Sequence, residues 1–199
     1  MRDDREAARA IEAFLKALGH DPATNPALAG TGARVTALFA DELLDGHLVD
    51  PAALLADTLP ASKDPPLVVV HRLATHVVCP HHLTIGSGHA AIAYQPSDRI
   101  VGLGVLAELV DAYTHRLTLQ EDAGGEIAHA LCQHLGARGA ACMLTLRHGC
   151  LEHQGKKKRG AVVRTVSFSG SFDERGKDRD LAIAALFRGG PRRIARGIS

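Results

Sequence analysis

An α+β fold is what this sequence predicts: an antiparallel sheet backed by two helices, with a helical arm in front. Three observations carry that expectation. The apolar period is helical through the first sixty or so residues and changes to that of strands at residue 67. From there the order reads strand, strand, helix, helix, strand, strand, which suits an antiparallel sheet with helices on it better than repeated βαβ units. Glycine, proline and aspartate cluster between those segments, where a chain must turn.

Residues 3–18 place Ala7, Ala10, Ile11, Phe14, Leu15 and Leu18 on one helical stripe, and Gly19 stops it. A loop from Asp21-Pro22 to Gly30 follows. Thr31 then suits the N-cap of a second helix carrying Val35, Leu38, Phe39 and Leu43 and ending near Gly46. Asp50-Pro51 opens a short third helix, and residues 60–66, rich in Pro, Lys and Asp, read as a linker. Residues 67–78 form a Val-rich strand. A turn at Gly86-Ser87-Gly88 leads to a second strand over 89–94, closed by Pro96-Ser97-Asp98. Helices are expected over 103–113 and 121–135, the latter stopped by Gly136. Residues 140–146 return to a strand, 161–168 form another, and 178–187 a last short helix before an Arg-rich tail from Gly189. The expected organisation is an arm over 1–62, a main domain over 63–190 and a basic tail over 191–199. No internal repeat is apparent.

Composition narrows the function. A chain of 199 residues, 46% hydrophobic and 23% charged, suits one ordinary domain with a good core. A net charge of +1 makes no whole-chain case for nucleic acid or membrane binding. The charged N-terminus, the lack of a spanning apolar run and only four cysteines point to the cytoplasm. In that compartment paired cysteines more often hold a metal than form a disulfide.

Two clusters fit that role: Cys79-Pro80-His81-His82, and His148-Gly149-Cys150 some seventy residues on. A turn folds a C-x-x-H pair around one ion. His148 and Cys150 are two apart, so an extended backbone projects them to the same side. Catalytic zinc keeps three protein ligands and an open fourth position, whereas structural zinc is closed by four. Five candidates for three or four places leave one or two histidines for proton transfer, a first hint of an enzyme. His71, His76 and His89 read more simply as strand histidines, with His76, three before Cys79, the exception to watch. Cys132 and Cys142 read as small core residues.

These clusters, with Arg116-Leu117-Thr118-Leu119-Gln120-Glu121 between them, resemble the GTP cyclohydrolase I family. The segments Ala33-Arg34-Val35 and Ile100-Val101-Gly102-Leu103 are similar to it as well, and the likeness runs from about residue 5 to about residue 187. The resemblance implies the tunnelling fold, in which subunits join sheets into a barrel. It implies a homo-oligomer, usually a decamer, with sites between subunits. Carried over by position, Cys79, His82 and Cys150 would hold Zn2+, and His81 and His148 would be the acid–base histidines. Gln120 and Glu121 would hold the guanine edge, and Arg34 would contact substrate. The reaction implied is hydrolysis of a purine imidazole ring at C8 with release of formate.

The departures from the family bear on the substrate. Where the family has a Ser-Lys pair and an Arg three residues past that Lys, this chain has Gly104, Val105 and Glu108. An Arg after the second zinc cysteine is Gln154, a Lys on the arm helix is Ala37, and a Glu inside the first motif is Pro80. The lost basic groups grip the triphosphate, so the expected substrate is a guanine-like or pterin-like ring bearing little or no phosphate. Lys156-Lys157-Lys158-Arg159 reads first as a solvated loop, with a substitute phosphate site as the functional alternative. Two further alternatives stand: ordinary GTP cyclohydrolase I activity making dihydroneopterin triphosphate, and a non-catalytic zinc-containing purine- or pterin-binding module. Glu121 also suits a plain helix N-terminus, and Arg34 and Arg116 suit ordinary ion pairs.

Overall fold

Four antiparallel strands in the order β2-β3-β5-β6 form the sheet that positions everything else. They are β2 (Val68–Val78), β3 (Ile85–Gln95), β5 (Gly139–His148) and β6 (Val163–Gly170). The structure is a computed structural model and describes residues 2–154 and 157–188. Lys156 and the expected basic tail lie outside the described residues. The chain divides into two units, one ending at Asp45 and the other starting at Gly46.

In the first unit α1 (Asp4–Ala17) is capped by Asp3, whose carboxylate accepts from the Glu6 N–H at 2.9 Å. It packs on α2 (Thr31–Leu38), which a wider five-residue turn, Phe39–Leu43, prolongs. The N-cap of α2 is Gly30, not Thr31, and no side chain caps it.

In the second unit, α3 (Pro51–Leu54) precedes a short pair, β1 (Leu59–Pro60) with β4 (Arg99–Ile100). Helices α4 (Leu103–Thr114) and α5 (Gln120–Gln133) lie on one face of the sheet. Between them and the sheet sit Ile92, Tyr94, Leu106, Leu109, Ile127, Leu131, Leu144 and Leu146, each about 1% exposed or less. Alternation follows from the pleat: Ala90, Ile92 and Tyr94 face that layer, and Ala91 and Ala93 face the other. The second face is covered by α7 (Lys177–Arg188), through Ala182 and Leu186 with Phe172 and Met143. Burial on both faces explains why the middle of β3 is a run of apolar residues with no polar alternation.

Two further expectations fail locally, for physical reasons. Gly86-Ser87-Gly88 is strand, not turn, since β3 begins at Ile85. Both glycines are there for close approach: a Cβ on Gly88 would strike the Thr145 carbonyl of β5, and one on Gly86 would meet the His148 ring. Strand β5 ends at His148, and Cys150 lies on a short helix, α6 (Gly149–His153). The two side chains therefore do not share one side of an extended backbone. Among the described residues, no helix is long and apolar enough to cross a membrane.

Candidate active site

The first cluster is built by the connection from β2 to β3. Cys79 follows the last residue of β2, in phase with buried Val77, so its side chain faces the helix layer at 9% exposure. Its carbonyl accepts from the Leu83 N–H and its N–H donates to the Thr84 carbonyl, both at 2.9 Å. Pro80 presets the backbone at the second position of that turn, and Leu83 closes it at a φ of +52°. His82 is brought back so that its Nδ1 stands 3.7 Å from the Cys79 Sγ.

The second cluster arrives through strand pairing. Gly86 is opposite His148 in the β3–β5 register. Just beyond, Gly149 packs against the Ile85 carbonyl at 3.2 Å, measured from where a Cβ would be. Cys150 follows on α6, beside the first cluster. The ligand atoms of Cys79, His82 and Cys150 lie within 4.8 Å of one another.

The donor set fits zinc. With Zn–S near 2.3 Å and Zn–N near 2.0–2.1 Å, a tetrahedral S–N edge is about 3.6 Å, and the Cys79–His82 edge is 3.7 Å. Two sulfurs and one imidazole leave a fourth position open, the pattern of a catalytic ion. His76 is not part of this group; its ring stacks on His115 with centroids 3.9 Å apart.

Beside the trio lies a cavity of about 290 Å³, bordered by Cys79, Cys150, His81, His148, Gln120 and Glu121, with Thr118 and Leu119 among the rest of its wall. His81 and Glu121 are exposed along it. Glu121 sits in the first turn of α5, where the helix dipole favours an acid. His148 follows Leu144 and Leu146 in phase, so it points to the helix side of the sheet. Burial pushes its imidazole below the ordinary value, and the nearby Glu121 carboxylate partly opposes that.

Gln120, expected beside Glu121 on the substrate edge, borders the same cavity but is held by the protein. Its side chain is 2% exposed and turned inward. Nε2 lies 3.0 Å from the Leu144 carbonyl, 3.2 Å from that of Val163 and 3.1 Å from the Thr165 hydroxyl. Oε1 lies 2.8 Å from His148 Nε2. Both N–H groups of the amide are thus taken up by the protein, and Oε1, which borders the cavity wall, spends one of its two lone pairs on His148.

Gly86, missed by the sequence reading, completes the site. A Cβ there would come within 2.8 Å of His148 Nδ1 and 3.2 Å of Val77. Gly86→Ala is expected to destabilise the fold by roughly 1–3 kcal/mol and to drive the His148 ring off Gln120. A urea midpoint that does not move would refute the clash. In sequence, a glycine at strand period with Ala90 and Ile92 was the available signal.

Arg34 belongs to the first unit, on α2. Its guanidinium donates to the Ala29 carbonyl at 2.8 Å and the Thr31 hydroxyl at 2.9 Å, around the start of its own helix. Arg116 stacks over Tyr113, 4.9 Å from the ring centroid, and donates to the Gly46 carbonyl at 3.3 Å. Of the substituted positions, Val105 packs on the core and Glu108 is exposed on α4. The described part of the basic run folds back onto α6. Lys158 N–H donates to the Leu151 carbonyl at 2.9 Å, and Gly160 N–H to the Glu152 carboxylate at 3.1 Å. Arg147 holds that carboxylate at 2.6 Å, and with Gly160 it keeps Glu152 below the usual carboxylate range. No Lys or Arg is among the described residues that line the cavity.

Comparison with known proteins bears on the same residues. The sequence model of the family described as GTP cyclohydrolase I matches residues 7–186. The GTP cyclohydrolase 1 of Ralstonia nicotianae is 38% identical over 181 residues, 89% of this chain and 84% of that protein. That of Mycobacterium leprae is 35% identical over 188 residues, 94% and 90% of the two chains. A looser likeness, TM-score 0.45 at 20% identity, links 55% of this chain to 98% of an archaeosine synthase QueF-like protein. The α+β architecture, the clustered Cys79, His82 and Cys150 and a match over most of the sequence agree, and the chain belongs to the GTP cyclohydrolase I family, with its tunnelling fold.

Proposed function

We propose that this chain is a zinc-dependent hydrolase that opens the imidazole ring of a guanine-type purine at C8 and releases formate, with little reliance on a triphosphate. One observation carries it: the two cysteines of a cluster able to ligate a metal, a histidine held by the protein and an exposed carboxylate border the same cavity. Cys79, His82 and Cys150 are the zinc ligands of this reading. When bound, zinc supplies a Lewis acid and a water of lowered pKa at neutral pH. Glu121 accepts from the ring N–H and amino group of the guanine edge, which points C8 toward the trio. His81 and His148 move the protons: as water adds to C8 and the C8–N bond breaks, one proton must leave the water and one must reach the released nitrogen. Hydrolysis of the resulting formamide gives formate.

The weak phosphate grip rests on the cavity wall without Lys or Arg and on Gly104, Val105, Glu108 and Gln154. The outer strands β2 and β6 each leave one edge unpaired among the described residues, which supports assembly by joining sheets into a homo-oligomer such as a decamer with sites at its interfaces.

Formate release from guanosine, GMP and GTP tests the substrate. Each charge-assisted phosphate contact is worth about 1.5–3 kcal/mol, so a working triphosphate grip raises kcat/KM for GTP by about 10³-fold or more. The expected result is kcat/KM for GTP within about tenfold of guanosine. A large preference for GTP, as the names of the relatives favour, would instead mean ordinary GTP cyclohydrolase I activity making dihydroneopterin triphosphate. If Lys157→Ala or Lys158→Ala then abolished that preference, the basic loop would be the grip. No formate from any of the three, from guanine or from reduced pterins would leave a binding module.

A further inference from the structure

The geometry points to Gln120 as a positioning residue that selects the tautomer of His148, so that His148 enters the reaction able to accept a proton at Nδ1 and unable to donate one there. This rests on the reading of His148 as a proton carrier.

The orientation of the Gln120 amide is forced by its neighbours. The carbonyls of Leu144 and Val163, 3.0 and 3.2 Å away, can only accept, so the atom facing them is the NH2 group. Turned over, the amide would set oxygen against two carbonyl oxygens at a site only 2% exposed. The other end is therefore Oε1, which has no proton to give. It lies 2.8 Å from His148 Nε2, so that nitrogen must carry the hydrogen. A neutral imidazole carries one N–H, and Nδ1 is left with its lone pair.

Gly86 leaves the Nδ1 edge of the ring without a side chain over it. A Cβ on it would stand 2.8 Å from Nδ1 and 2.9 Å from the adjacent ring carbon, so any other residue would cover the atom. The order of proton transfers follows. His148 takes a proton at Nδ1 from the attacking water, becomes an imidazolium with both N–H groups placed, and returns that proton from Nδ1 to the nitrogen leaving C8. One proton enters and one leaves, so the ring ends as it began.

The test reads the tautomer directly. Solid-state 15N spectra of the zinc-loaded protein, labelled in histidine and assigned against His148→Ala, are recorded at mildly alkaline pH. The expected result is a protonated Nε2 and a bare Nδ1 in the wild type, with the Nδ1–H form appearing in Gln120→Met, which fills the space without an acceptor. A wild type already protonated at Nδ1, or a Gln120→Met spectrum like the wild type, would overturn the assignment. If Gln120→Met fails to fold, the wild-type spectrum and that of Gln120→Glu, which retains an oxygen toward His148 and should retain the Nε2–H form, decide the matter. In turnover, Gln120→Met should lower kcat about 10²-fold with KM and zinc content unchanged, and should cost nothing further in a His148→Ala background. Equal losses in both backgrounds would make Gln120 merely structural. Since the spectra need no substrate, an inactive protein would sink the hydrolase reading and leave this one to be judged separately.

Discussion

Cys150→Ala is expected to strip the metal and end turnover while the fold stays intact. Zinc-site binding free energies of roughly 10–16 kcal/mol leave several kcal/mol on each ligand. Losing one thiolate therefore weakens zinc by about 10³-fold or more, enough for dialysis to empty the site. Cys150 is the better choice for the experiment because it is half-buried at the start of a short helix, whereas Cys79 is buried against the core. Replacing Cys79 would confound ligand loss with a packing defect. Metal content by elemental analysis and formate release should fall together, with circular dichroism unchanged and no rescue by equimolar zinc. A Cys150→Ala protein that retained one zinc per chain would remove Cys150 from the ligands and, with it, the three-ligand site on which the hydrolase reading depends.

Glu121→Gln carries the second large effect, and here chemistry changes with almost no change of shape. A guanine edge presents two donors to one carboxylate. The amide offers one acceptor and turns an N–H toward the other donor, leaving it unpaired and opposed. Sites built to hydrogen-bond a polar edge discriminate by 10⁴–10⁵ when the match is lost; for an exposed carboxylate such as this one, a fall of about 10³-fold in kcat/KM is expected. Zinc content should not move. Stability should change by no more than the 0.3–1 kcal/mol that an acid contributes near a helix N-terminus. A loss under tenfold would mean that Glu121 is only a favourable helix-end charge.

The metal trio and Gln120 were legible to different depths, and the difference is physical. Cys79 and His82 lie within one turn, so their convergence is a local matter of backbone geometry that spacing reveals. Cys150 was legible as a candidate, but its route was not: β5 ends at His148 and Gly149 opens a short helix close against Ile85 of the neighbouring strand. Gln120 shows the same limit from the other side. It lies in helical phase with Ile127 and Leu131, so the pattern marks it as inward-facing, a polar residue in a buried stripe. Which partners satisfy it cannot be read from that stripe, since they stand 24 to 45 residues away on β5 and β6 and at the end of β5.

By itself, then, the amino-acid order determined the element sequence of an α+β fold and the chemistry available, since apolar period and ligand spacing are properties of neighbouring residues. Only the tertiary structure decided that Gly86 lies in a strand beneath an imidazole, that Gln120 holds that imidazole, and that Glu121 shares its cavity with Cys79 and Cys150. Those outcomes are set by strand register and by which buried polar groups find partners, and both are settled between segments far apart in the chain.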